Sequence, residues 1–219
     1  MLLVVGLLGG TAAAFAVTEG LKLQKSPIRS TRVTKVFSPV CGCPSASAAV
    51  SFRLRHADHL TVSIQDTAGA VVRTLFESRP AAAGFHVYFW NGRLDDGTVA
   101  APGGYRARLE LDDADRTIVL PNRISVDTVP PRVLSVGVDF SPRGIVVRYR
   151  ASEHAHGLLY VGGRRIVKTY RAPLVGAMTI TRAALGALGA HGPLGVAVED
   201  PAGNVSKVRV LRYVIRENA

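Results

Sequence analysis

The sequence predicts an all-β protein, two tandem β-sandwiches behind an apolar N-terminal segment. Three observations carry that expectation. Apolar and polar residues alternate with a period of two over many short segments, the pattern of strands with one buried face. Helix-favouring Glu and Lys are scarce, while Val, Thr and Gly abound. The segments recur at sandwich spacing between turns rich in Gly, Asn and Asp, and Pro130-Pro131 divides them into two runs. Each run comes to roughly 100 residues, the usual size of one such unit. The chain has 219 residues, 47% of them hydrophobic, enough for packed cores and too many for a disordered chain.

From the N-terminus, Leu2 to Thr18 carry no charge, and Glu19 and Lys22 close the run. That length is at the short limit for a membrane span, which needs about 20 residues. Ala14-Phe15-Ala16 fits the small-x-small pattern before a signal-peptidase cut. A cleaved signal peptide and a retained membrane anchor are both open, and either places everything after Leu23 outside the cytoplasm. Only Met1 precedes the run, whereas Lys22, Lys25, Arg29 and Arg32 follow it. An export start upstream, supplying a basic flank, is the expected explanation. A reversed topology, which the positive-inside rule taken literally would give, is the alternative.

The first β unit is expected over residues 24–127. Val50-Phe52-Leu54 alternate with Ser51, Arg53 and Arg55, and Leu60-Val62-Ile64 with Thr61 and Ser63. Asp66-Thr67-Ala68-Gly69 turns the chain into Val71 to Leu75. Phe85, Val87 and Phe89 share a face opposite His86, Tyr88 and Trp90. Trp90 is expected to be buried where its strand meets the Asn91 to Gly97 turn. Tyr105-Ala107-Leu109-Leu111 form a further strand. Asp127 to Arg132, with its two prolines, reads as a stiff joint, because Pro cannot donate to a ladder and holds the backbone extended.

The second unit is expected over residues 128–219. Its strands are centred on Val136-Val138-Phe140, Ile145-Val147-Tyr149, Leu158-Tyr160 and Val196-Val198. Thr181 is placed to cap one helical turn over Arg182 to Leu185. Asp200-Pro201-Ala202-Gly203-Asn204 turns the chain into a last strand expected over Val205 to Ile215. Residues 1–23 are the signal or anchor, and both β units are expected to be immunoglobulin-like.

Residues 33–127 resemble the Ig-like domain of the flagellar hook-capping (FlgD-type) family, also found in exported bacterial proteins. The residues that carry the resemblance are Val71-Val72-Arg73-Thr74-Leu75, Trp90-x-Gly92-Arg93-x-Asp95-Asp96-Gly97 and Pro102-x-Gly104-Tyr105. Asn91 replaces the Asp that usually follows the Trp. The resemblance implies structural roles for these residues and a spacer or protein-contact role for the domain. The hook-cap's assembly segment has no counterpart, so no flagellar role is implied. Phe37-Ser38-Pro39 is similar to the opening of related domains whose next loop is Asn-Gly-Asp-Gly; here that loop is Val40-Cys41-Gly42-Cys43-Pro44, without the acids. The second unit resembles a generic bacterial Ig-like or fibronectin-type module.

Cys41 and Cys43 are the only cysteines. Outside the cytoplasm they are expected to oxidise. Residues two apart are within disulfide reach, and Gly42 relieves the strain of so small a ring. A disulfide within the chain is the first expectation, a bridge to a second chain the next, and a redox or metal role the last. Two thiolates do not complete a tetrahedral zinc site. His154-x-His156 beside Glu153, and His56-x-x-His59, lack a third ligand at fixed spacing. Asp95-Asp96 and Asp112-Asp113 fall in turn sequences, where Asp is favoured for local backbone bonds. Neither a nucleophile elbow nor a phosphate loop is present. No catalytic, cofactor or metal residue is therefore assigned.

From Thr128 onward thirteen Lys or Arg face five acidic residues, against fourteen and ten over residues 20–127. A basic surface of this kind keeps a chain soluble and attracts anionic surfaces. Expected partners are the membrane, through the N-terminal segment, and a cell-envelope protein or anionic wall polymer. Nucleic acid and small-molecule substrates are not expected. The sequence-based reading is a non-catalytic extracytoplasmic interaction or scaffolding protein, anchored or secreted. The alternative is a redox or hydrolase accessory using Cys41 and Cys43.

Overall fold

The computed structural model describes residues 26–215. The expected signal or anchor, Leu2 to Thr18, lies outside the described residues, as does Arg216. Among the described residues no helix is long and apolar enough to cross a membrane.

The described residues form an all-β fold with four open sheets and two hydrophobic cores. On the first core, β1 (Ile28–Val33), β3 (Ala48–Leu54) and β6 (Gly84–Trp90) form an antiparallel sheet in the order β1-β3-β6. A second sheet contains β2 (Val36–Phe37), β4 (Asp58–Gln65), β5 (Val71–Ala81), β7 (Gly103–Leu111) and β8 (Arg116–Val126), in the order β2-β8-β7-β4-β5. Val50, Phe52 and Leu54 of the first sheet share one core with Leu60, Val62, Ile64, Leu109 and Ile124 of the second. Burying each such side chain contributes about 1.5–3 kcal/mol. Pro80 lies on β5, an edge strand, where its missing N–H costs no central ladder bond.

Register decides which face of β6 is inside. Ala48 pairs with Trp90, Val50 with Tyr88 and Phe52 with His86. The inward apolar set of β3 therefore draws His86, Tyr88 and Trp90 inward, and Phe85, Val87 and Phe89 point out. A slip by one residue would expose Trp90 instead.

The second core lies between β9 (Val133–Ser141), β10 (Gly144–Ala151) and β13 (Val175–Thr181) on one side, ordered β13-β10-β9, and a four-stranded sheet on the other. The latter has β11 (His156–Val161), β12 (Arg164–Lys168), β14 (Gly192–Glu199) and β15 (Arg209–Ile215), ordered β12-β11-β14-β15. The short helix α1 (Arg182–Ala187) follows β13, and the Thr181 hydroxyl accepts the Ala184 N–H at 3.1 Å.

One expectation needs correction. The last strand begins at Arg209, not Val205. Ser206 donates its N–H to the Val198 carbonyl, while its hydroxyl accepts the Val198 N–H at 3.0 Å. A side chain has taken a backbone position in the ladder, so Val205 to Val208 stay irregular apart from one bridge at Val205.

Candidate functional site

Two clusters of side chains stand out, the Trp90 turn and the joint between the two cores. In the first, Trp90 is fully buried, edge-on to Phe37 at 5.5 Å and to Tyr105 at 5.0 Å between ring centroids. Its indole N–H donates to the Arg93 carbonyl at 2.9 Å, which closes the turn. Gly92 sits at φ +72, and a β-carbon there would come within 2.5 Å of Pro39. Both its backbone angle and its neighbour therefore require Gly. The Asp95 carboxylate accepts the Thr74 N–H at 3.2 Å and lies 3.5 Å from Arg73.

Asp96 accepts the Thr98 hydroxyl at 2.6 Å and the Thr98 N–H at 2.8 Å. Those two hydrogen bonds, the hydroxyl's first, hold its pKa below the usual carboxylate value. The Gly97 carbonyl receives the Arg93 guanidinium at 2.8 Å. Pro102 lies exposed at the bend before β7, and Gly104 leaves room for the Arg123 guanidinium laid across it. The Tyr105 hydroxyl donates to the Ala101 carbonyl at 2.9 Å, a corner bond of the kind seen in Ig-like sandwiches. Burial, and secondly the charge of Asp66, raise its pKa.

The joint is built from three segments far apart in the chain. Phe37 accepts the Asp127 N–H at 3.1 Å, and the Ser38 N–H donates to the Ala202 carbonyl at 3.1 Å. Cys41 and Cys43 are bonded to each other, with Cα atoms 5.2 Å apart. Their loop rests on the Asp200 to Asn204 turn. A β-carbon on Gly203 would lie 2.7 Å from the Cys43 sulfur and 3.5 Å from that of Cys41. The buried Asn204 side chain donates to the Asp127 carbonyl at 3.1 Å and to the Asp200 carboxylate at 2.8 Å. Asp200 also accepts the Asn204 N–H at 2.9 Å.

Beside these bonds, one carboxylate oxygen each from Asp127, Glu153 and Asp200 lie within 4.8 Å of one another. Asp200 is 2% exposed, the other two half-buried. No ion pair among the described residues involves any of the three. Burial, then Asp200, then Asp127 raise the pKa of Glu153. The trio has the oxygen chemistry of a hard-cation site. Sequence reading missed it because the three residues lie on a linker, a loop and a turn with no fixed spacing.

The histidines do not converge. His154 Nδ1 lies 3.1 Å from the Ala172 carbonyl and His156 Nδ1 2.8 Å from that of Thr169. His59 pairs with Asp113 at 3.2 Å. At the second core, Phe140, Ile145, Leu185 and Ile215 line a cleft of about 460 Å³ with Arg182 and His191 at its polar side.

The FlgD Ig-like domain family matches residues 44–115, about a third of the chain. The match spans β3 to β7 and the whole Trp90 turn, and stops short of the joint. The basal-body rod modification protein FlgD of Escherichia coli (strain K12) is 36% identical over 63 residues, which are 29% of this chain and 27% of that protein. The chain therefore spans about a quarter of the length of the curated relative it matches. Among solved structures, the human OSCAR ligand-binding domain overlaps 85% of this chain and 99% of its own at 16% identity, TM-score 0.39. The BSP domain of a biofilm-associated protein overlaps 86% of this chain and 29% of its own at 13% identity, TM-score 0.32. Neither of these two overlaps bears on function.

Proposed function

We propose that this chain is a non-catalytic, extracytoplasmic interaction or scaffolding protein, held at the membrane by its N-terminal segment and presenting two tandem Ig-like sandwiches, residues 24–127 and 128–219. The observation that carries the reading is the use made of the FlgD-like motif. Trp90, Asp95, Asp96 and Tyr105 are all engaged in bonds that close turns and strands. Residues so engaged support a surface rather than a reaction. Export is supported by the apolar run Leu2 to Thr18 and by the bonded cysteines, since disulfides persist outside the cytoplasm. The partner class is a cell-envelope protein or anionic wall polymer. Redox use of Cys41 and Cys43 is the weaker reading, because their sulfurs pack on the Gly203 backbone at the joint.

The test is a fusion of residues 1–30 to a reporter active only outside the cytoplasm, with and without an added upstream basic start, followed by surface cross-linking and recovery of the full chain. Reporter signal and recovery of an envelope component are expected. Activity confined to the cytoplasm in both fusions would reject export.

A further inference from the structure

The outer face of the β1-β3-β6 sheet carries two groups of residues that the proposed fold does not use. Along β6, Phe85 is 64% exposed, Val87 41% and Phe89 66%. Large apolar side chains at i, i+2 and i+4 of one strand form a continuous stripe, and exposed stripes of this kind mark contact surfaces. Beta6 pairs only with β3 among the described strands, so the stripe also borders an open edge, which soluble proteins usually blunt with charge or a covering segment.

The rest of this face is basic. Arg53 stands opposite Phe85 on β3, and Arg29 stands opposite Arg53 on β1. Arg32 stands opposite Ser51, which in turn faces Val87. All three arginines are exposed, and the outward positions of these strands hold no Asp or Glu. Among the described residues none of the three is in an ion pair. An apolar stripe beside unpaired cations suits an anionic lipid surface, where apolar side chains enter the boundary of headgroups and acyl chains and Arg meets lipid charge.

Chain connectivity puts this sheet near such a surface. The apolar run ends at Thr18, and Arg29 lies eleven residues further on, a reach of about 40 Å at most. This part of the case rests on the membrane-anchored reading above. The charge pattern stands without it.

We propose that the outer face of the β1-β3-β6 sheet docks on an anionic bilayer, Phe85, Val87 and Phe89 entering its surface and Arg29, Arg32 and Arg53 meeting its headgroups. The bound sheet would then lie flat on the membrane and leave the opposite sheet open to partners.

The experiment uses the full chain with Val87→Cys, and separately Phe85→Cys, labelled with an environment-sensitive fluorophore. Cys41 and Cys43 are bonded to each other, so the new thiol takes the label. The protein is mixed with nanodiscs of phosphatidylcholine alone or with about a third phosphatidylglycerol, containing a headgroup-proximal spin-labelled lipid as quencher. Blue-shifted, quenched emission is expected only with the anionic lipid. Replacing Arg29, Arg32 and Arg53 by Gln should lower binding by about fivefold per charge, and a label at Glu77→Cys on the opposite sheet should stay in water.

Alkaline carbonate washing separates the two claims. A chain retained on the disc whose labels remain in water overturns the docking face and leaves the anchor standing. A chain washed off whose labels are nonetheless blue with anionic lipid supports the face and removes the anchor. A chain that neither stays nor shifts its labels removes both. Blue emission without lipid, from a species of dimeric mass, would assign the face to a second copy and overturn the lipid proposal.

Discussion

The Cys43 sulfur occupies the space that a side chain on Gly203 would need, 2.7 Å from where its β-carbon would stand. This ties the cysteine loop beside the first core to a turn beside the second. Gly203 also has φ +95, so Gly203→Ala combines backbone strain with a collision. Gly69, at φ +89 with nothing within 4 Å, has the strain alone. Gly69→Ala should cost about 1 kcal/mol, and Gly203→Ala should cost more by denaturant unfolding. In a background with Cys41→Ala and Cys43→Ala, that excess should shrink. A cycle showing no coupling between the sites would mean that the loop does not rest on the turn.

The cysteine pair itself is checked by mass. Protein purified without reductant should be two hydrogens lighter than after reduction, with no thiol accessible to alkylation. A dimer on a non-reducing gel, or two free thiols, would remove the intrachain bond.

Trp90 holds the first core to its longest turn. Trp90→Ala should cost about 3–5 kcal/mol, the range for large buried aromatics, read by far-ultraviolet circular dichroism because the chain's one Trp is gone. A loss below about 1 kcal/mol would put the indole at the surface.

Much of this architecture is legible because strand alternation is local. The Trp90 turn is legible in part for the same reason: the Arg93 carbonyl that receives the indole N–H and the Thr98 that Asp96 holds lie within a few residues, while Phe37, Pro39 and Thr74 reach it from elsewhere in the chain. What failed to show was non-local. Both faces of β6 carry large apolar or aromatic residues, so alternation alone leaves its inner face open; the turn motif put Trp90 inside, and the pairing of Ala48 with Trp90 is what holds that register. The carboxylate trio spans Asp127 to Asp200 and exists only because the joint folds. Val205 to Val208 have strand-like composition, but the Ser206 hydroxyl takes a ladder position, a competition that composition does not encode.

Glu153 should make the protein less stable as pH rises. Its pKa in the folded chain is raised from an ordinary 4.5, by burial first and then by Asp200 and Asp127. Below that ordinary value Glu153 is protonated in both folded and unfolded chains and contributes no difference. As pH climbs toward the raised value the unfolded chain releases its proton first, and stability falls. Above it the penalty is complete. Glu153→Gln should therefore be more stable than the parent at pH 7 and indistinguishable from it near pH 3.5, measured by urea unfolding at both. A variant less stable at pH 7 would mean that the charge is compensated at the joint.

Asn204 should be the least replaceable polar residue of the joint. It is 3% exposed, and its side-chain amide donates both to the Asp127 carbonyl and to Asp200. Asn204→Asp keeps the shape but turns a double donor into an acceptor beside a buried carboxylate. Two bonds become repulsions, and a loss of about 2–4 kcal/mol at pH 7 follows from buried unsatisfied and like-charged groups. The new pair cannot both ionise easily, so one member should hold a proton to higher pH. Protonation restores one donor, and the deficit should narrow as pH falls from 7 to 4. Asn204→Ala, which leaves the acceptors unpaired without adding charge, should lose stability with little extra pH dependence. Equal pH profiles for the two variants would show that water reaches Asp200 and screens it, and would remove the buried carboxylate from the account of the joint.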